Sequence, residues 1–232
     1  WTWDDIRDCL PTLQKNNMSI LMETGANANT NGLGSFAMLL YQRGGAFYTD
    51  DLTATALDSE TAVEAFRFWT DLYNRGGLPG IFNLANRFRT GESPIAIADF
   101  SLYNTLAVSA PEIQGLWEMA MVPGTRREDG TVDYSSYSSS TGVVLLADSE
   151  HKAAAWDYMK WWTSAQAQSY FGKEMESLLG ASARYPTANL EAMGSLGWTA
   201  QASRVLTAQA AWAKAVPEVP GGYYLPRYIN LS

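Results

Sequence analysis

Hydrophobic positions in this chain switch between helical spacing and short unbroken runs. After Thr2, Ile6, Cys9, Leu10 and Leu13 share one helical face. Thr2 followed by Asp5 three residues on resembles a capping box, with Asp in the usual Glu or Gln place. Ser19–Met22 is a short apolar run that predicts a strand. Gly25–Gly32 (GANANTNG) predicts a loop. Leu33, Phe36, Ala37 and Leu40 return to helical spacing, and Gly44-Gly45 ends that helix. Ser59 caps the clearest helix. Val63, Phe66, Thr70 and Tyr73 follow one line along it, with Ala62, Trp69 and Leu72 beside them. Gly76-Gly77 and Pro79 close it.

The stretch Arg87–Pro123 organises the rest. It predicts a helix end at Phe88, a turn at Thr90-Gly91-Glu92, a buried strand over Ile95–Ala98, a short helix and a second strand. The strand stops at Asp99, and Phe100, Ser101, Tyr103 and Asn104 follow at once. An acid, aromatics and an amide at the end of a buried strand suit the rim of a ligand cleft in an open α/β sheet. They equally suit a strand followed by a helix whose cap is Asp99.

Beyond it, Gly124–Ser140 is charged and then rich in serine and tyrosine, which predicts a polar loop. Thr141–Ala147 (TGVVLLA) predicts another buried strand. Asp148-Ser149 starts a helix through Thr163, with Ala155, Tyr158, Met159 and Trp162 on one face, and Ser164 caps the next. Leu179-Gly180 interrupts the pattern, and Arg184-Tyr185-Pro186-Thr187 restarts it. A helix over Thr199–Lys214 and a rigid loop over Pro217–Gly222 lead to Tyr223-Tyr224. Helices alternating with short buried strands, and no internal repeat, place the chain in the α/β class.

Composition narrows the chemistry. A net charge of −8 over 232 residues opposes nucleic acid and anionic membrane as partners. Nine Trp and twelve Tyr exceed what a core alone asks, and leave rings to stack on sugars or other flat ligands. Cys9 is the single cysteine and His151 the single histidine, so no disulfide, thiolate cluster or multi-histidine metal site is expected. His151, beside Glu150 and Lys152 in the first turn of a helix, predicts an exposed residue. Neither GxGxxG, GxxxxGK[ST] nor GxSxG occurs, so no cofactor is expected. Carboxylate pairs remain as candidate chemistry. Asp50-Asp51 lies in a turn, Asp4-Asp5 in a helix first turn that favours acids, and Glu174 and Glu176 flank Met175 near a helix end.

The ordered set of segments resembles the family 1 extracellular solute-binding proteins of ABC importers, the maltose-binding-protein-like group. WTWDDIRD, FAMLLYQRGGAFY and SETAVEAFRFWTDLYNRGGLP are similar to its successive helices. FRTGESPIAIADF is similar to its helix, turn and strand. STGVVLLADSEHKAAAWDYMKWWTSAQAQ and EMESLLGASARYPTAN are similar to its later strand, helices and return, although proline appears only at Pro186. The resemblance implies a periplasmic-binding-protein-like type II α/β fold of two lobes, here truncated at both ends. It implies a second-lobe segment at 1–137, a crossover segment completing the first lobe at 138–185, and a return to the second lobe at 186–232.

It also implies a function and a site. The function is that of the substrate-binding component of an ABC importer, holding a carbohydrate, an oligosaccharide by preference, between the lobes and delivering it to the permease subunits. The location is extracytoplasmic, with a lipid anchor outside this chain as the only tie to the membrane. The family's stacking aromatic falls near Ser101, flanked by Phe100 and Tyr103, with Asp99 and Asn104 beside them. A second aromatic comes from the late segment, where Tyr223, Tyr224 and Arg227 stand, and Asn29 and Asn31 are weaker polar candidates. The competing class is a carbohydrate-active enzyme, a glycoside hydrolase or lyase, with two acids converging across roughly 5–10 Å. Asp99, Glu174 and Glu176 are the acids to follow.

Overall fold

The computed structural model describes residues 1–22 and 34–221. The expected loop over Gly25–Gly32, the residues Asn29 and Asn31, and the late Tyr223, Tyr224 and Arg227 lie outside them. In chain order the elements are α1 (Trp3–Lys15), β1 (Ile20–Met22), α2 (Gly34–Gln42), α3 (Glu60–Asn74), α4 (Leu84–Arg89), β2 (Ile95–Ile97) and α5 (Leu102–Ser109). Then come β3 (Thr125–Arg126), β4 (Val132–Asp133), β5 (Ser136–Tyr137), α6 (Lys152–Trp162), α7 (Ala165–Leu179), α8 (Leu190–Gly194), α9 (Ala200–Ala210) and β6 (Ala213–Lys214). Among the described residues no helix is long and apolar enough to cross a membrane.

Contacts divide the chain into two compact units. The first holds Trp1–Asp99, Met121–Ser138 and the chain from Ala208 onward; the second holds Phe100–Ala120 and Ser139–Thr207. Residues 100–120 and 186–207 therefore group with 139–185 by contact.

The first unit is built where local signals and burial agree. Thr2 and Asp5 form the reciprocal capping box, Thr2 N–H donating to Asp5 Oδ2 at 2.7 Å. Ile6 and Leu10 of α1 are buried, with Cys9 and Leu13 partly so. β1 is fully buried and pairs parallel with β2 in the register Ile20–Ile95, Leu21–Ala96, Met22–Ile97. α2 serves two cores. Met38 and Leu39 face Trp3, Ile6, Leu72 and Leu78, while Phe36, Ala37, Leu40 and Tyr41 face Phe47, Ala62 and Ala65. Gly44 ends the turn after α2 at φ +81°, a backbone conformation that costs glycine least. On α3 the buried positions are Ala62, Ala65 and Leu72, so Val63 and Phe66, expected on the inner line, are exposed.

Four further expectations are corrected. Residues 124–140 are not a polar loop: β3 and β4 pair antiparallel, β5 pairs parallel with β6, and Asp133 and Ser135 are buried. The expected strand after α5 has no ladder. Its backbone bonds go to side chains instead, Met121 O accepting from Trp1 Nε1 at 2.7 Å and Val122 N–H donating to Gln209 Oε1 at 3.0 Å. Thr141–Ala147 is neither strand nor buried, with Val144 79% and Leu146 71% exposed. The helix expected from Asp148-Ser149 begins at Lys152, with His151 at its N-cap making no side-chain capping bond.

Candidate functional site

β2 lies half-buried rather than buried, and its chain emerges at the exposed Asp99. α5 begins three residues later. Ser101 holds its N-cap position at φ −63° and ψ −19°, with no side-chain capping bond. Asp99 is thus not the cap of this helix, because the chain makes a further turn through Phe100 and Ser101 before Leu102. Asp99 closes the first unit and Phe100 opens the second.

Within the second unit, α5 brings Phe100, Tyr103 and Asn104 onto a cluster of rings. Trp198 lies 6.0 Å from Phe100 and 5.4 Å from Tyr103, and Trp117 lies 5.2 Å from Tyr103, each centroid to centroid and edge to face. Such pairs favour edge contacts because the ring face is electron-rich and its rim is not. The Arg184 guanidinium sits 4.9 Å from the Trp198 centroid and 5.9 Å from that of Tyr103. Asn104 Nδ2 donates to the Arg184 carbonyl at 3.3 Å.

Arg184 reaches this place by a local device. Gly180, at φ +83°, ends α7, and a single 3-10 turn (Ala181–Ala183) sends the chain back along the helix. Arg184 Nε then donates to Glu176 Oε2 at 3.0 Å, and Nη2 to Oε1 at 2.5 Å. This two-point fork is the geometry a guanidinium makes with a carboxylate. The hydrogen bonds from Arg184 hold the Glu176 carboxyl below its ordinary value against the opposing pull of burial, and the backbone N–H of Gly197 adds to them.

The arrangement sets aromatic rings beside an amide and a guanidinium, side-chain types that suit binding of a ring bearing hydroxyls. Glu176 does not suit the role of general acid. A general acid needs a carboxyl held protonated near the working pH, and Glu176 is pushed the other way. Glu174 is exposed on the same helix. Asp5 is spent on the α1 cap, Asp4 pairs with Arg7 at 2.7 Å, and Asp51 accepts from Thr49 and Thr53. Among the described residues no group of His, Cys, Asp and Glu could hold a metal ion. His151 is exposed.

Of the residues expected at a site, Phe100, Tyr103 and Asn104 come together. Ser101 is exposed on the turn beside them. The sequence singles out none of Trp117, Arg184 and Trp198 for a site, and only the folded chain carries them to Tyr103 of α5. The adjacency Arg184-Tyr185-Pro186 after a glycine break was the one sequence sign of a return.

Residues 1–193 match the profile of a family described as bacterial extracellular solute-binding protein. No curated protein sequence matches the chain. Among solved structures, the sugar-binding protein MalE from Xanthomonas citri superposes with a TM-score of 0.74 at 17% identity, over 99% of this chain and 56% of its own. The cyclic alpha-maltosyl-1,6-maltose binding protein of Arthrobacter globiformis gives 0.65 at 24% identity, over 99% and 56%. Maltose-bound MalE3 of T. maritima gives 0.65 at 19%, over 99% and 58%. This likeness shows the fold, and the chain spans little more than half the length of these structures.

Proposed function

Because this chain belongs to the bacterial extracellular solute-binding protein family, we propose that it acts as the substrate-binding component of an ABC importer, takes up a carbohydrate, and hands it to permease subunits. An oligosaccharide is the preferred solute. The observation that carries this reading is the wall of Phe100, Tyr103, Trp117 and Trp198 with Asn104 and Arg184 among the rings. Rings of this kind offer their faces to the C–H groups of a pyranose while nearby amides and hydroxyls meet its hydroxyls. The relatives named above for maltose and a cyclic maltosyl sugar point the same way. The protein would work outside the cytoplasm. Glu176 is engaged at both oxygens by the Arg184 fork, so it is not offered to a glycosidic bond as a free carboxylate.

The test is a tryptophan fluorescence titration with maltose, maltotetraose and a cyclic glucan, coupled to product analysis. Saturable quenching with the sugar recovered intact supports a binding protein. Cleaved or unsaturated sugar in the mixture overturns it in favour of an enzyme.

A further inference from the structure

We propose that Asn104 and Trp198 form a hydroxyl-recognition subsite selective for neutral sugars, and that Arg184, clamped by Glu176, is the residue that positions it. The proposal rests on the carbohydrate-binding reading above and names side chains within it.

Two buried polar atoms in the cluster, Oδ1 of Asn104 and Nε1 of Trp198, have no hydrogen-bond partner among the described residues. Asn104 as a whole is only 6% exposed. Buried polar groups are nearly always paired, so two unpartnered ones within one cluster of side chains ask for a ligand. One accepts and the other donates. A hydroxyl does both, which a carboxylate or an ammonium group cannot.

The clamp explains why the wall keeps its shape. Arg184 is 9% exposed, its fork is filled by Glu176, and its guanidinium lies over Trp198. Glu176 also accepts from the backbone of Gly197, the neighbour of Trp198. A Cβ on Gly197 would stand 2.7 and 2.8 Å from the two Glu176 oxygens, so glycine is what lets the chain pass there. One ion pair thus fixes Trp198 from its ring and from its backbone. Because the carboxylate already matches the guanidinium charge, a sugar acid or sugar phosphate gains no unpaired cation from Arg184. A neutral polyol loses nothing.

The experiment is calorimetric and fluorescence titration of the 232-residue chain with maltose, maltotetraose and glucuronate, repeated on Trp198→Phe, Asn104→Ala, Arg184→Lys and Glu176→Gln. Neutral sugar should bind more tightly than glucuronate. Trp198→Phe and Asn104→Ala should each weaken it about tenfold, the scale of one lost hydrogen bond; Asn104→Ala also gives up the bond to the Arg184 carbonyl and so lowers the melting temperature, while Trp198→Phe keeps a ring against Phe100 and Tyr103 and leaves it unchanged. Trp198→Phe should also remove the sugar-dependent emission change. Arg184→Lys keeps the charge but loses the flat fork, and Glu176→Gln loses the ionic half of the clamp. Both should weaken binding and alter the near-ultraviolet dichroism of the rings while the far-ultraviolet spectrum holds. Wild-type binding that all four variants retain, or glucuronate binding more tightly than maltose, overturns the subsite alone. A wild-type chain that binds no neutral sugar overturns the carbohydrate reading, and the subsite with it.

Discussion

The indole Nε1–H of Trp3 donates to Oε1 of Gln42 at 2.8 Å, with both residues buried. Gln42 is the polar centre of the first unit. Its Nε2 donates to the carbonyls of Pro123 and Ser135 at 2.9 and 3.1 Å, and Thr125 Oγ1 donates to its Oε1 at 2.8 Å. The single side chain therefore ties α1 and α2 to the chain between Pro123 and Ser135 and uses its full bonding capacity. Gln42→Ala would strand the Trp3 indole N–H and two carbonyls in a dry interior. The expected loss is about 2–4 kcal/mol, since each group left unpaired costs on the order of 1–3 kcal/mol. Urea denaturation followed by tryptophan emission measures it, and a variant within 0.5 kcal/mol of wild type, the range of an ordinary surface change, would remove Gln42 from this role.

Two glycines near the end of α3 should respond in opposite ways to alanine. A Cβ on Gly76 would run into the Leu72 carbonyl, with Leu10 Cδ1 at 3.1 Å, so backbone has to move. Gly76→Ala should cost about 1–3 kcal/mol, the usual penalty of overpacking. A Cβ on Gly80 meets nothing within 4 Å. Gly80→Ala should be neutral or slightly stabilising through the loss of unfolded-state freedom. Thermal unfolding of the pair checks the contrast, and equal melting temperatures would contradict it.

Acid should weaken the fold through its clamped carboxylates. Burial pushes the Asp133 carboxyl up, but the bonds from Ser135 and the ion pair with Arg127 outweigh it and hold the group below its ordinary 3.8. The hydrogen bonds from Arg184 likewise hold Glu176 below 4.5. Both groups are therefore protonated at lower pH in the folded chain than in the unfolded one. Their stabilisation is present above the unfolded values and is lost as pH falls through the folded ones. The urea midpoint should hold from pH 7 to about pH 5 and then drop below about pH 4. Asp133→Asn and Glu176→Gln should each flatten that drop, and wild-type slopes in both variants would count against this account.

Where a signal is complete within one turn of chain, the sequence predicts the structure. The Thr2–Asp5 box, the caps Ser59 and Ser164 and the break at Gly180 all lie where their local chemistry places them. The failures share a different origin. Asp148-Ser149 has capping residue types, yet the helix starts at Lys152, and Ser149 Oγ instead accepts from the His151 N–H at 3.2 Å in the turn before it. The serines and tyrosines of 124–140 read as a loop, although strands of two residues each are too short to leave a period. The candidate site was half legible for the same reason. Phe100, Tyr103 and Asn104 stood together in the sequence, whereas Trp198 and Arg184 reach them only through contacts between separate elements. The Arg184–Glu176 pair, eight residues apart across a helix end, follows neither helical nor strand spacing.

Thr141–Ala147 shows what composition alone can claim. Its unbroken apolar run has the character of a strand covered on both faces, but burial needs neighbours, and among the described residues none pairs with it. α6, which follows, is in the same position. Trp156, Tyr158 and Trp161 are all more than half exposed, although an apolar helix face normally lies against a core. In the chain of 232 residues the amides of 142–147 should therefore exchange with solvent within seconds to minutes, on the order of unprotected backbone. Those of Ile20–Met22, fully buried and laddered to Ile95–Ile97, should exchange only with global unfolding. Hydrogen exchange read by mass spectrometry compares the two segments in one experiment. Equal protection would mean that the apolar run is covered in solution, and that a partner for its backbone exists which these contacts do not include.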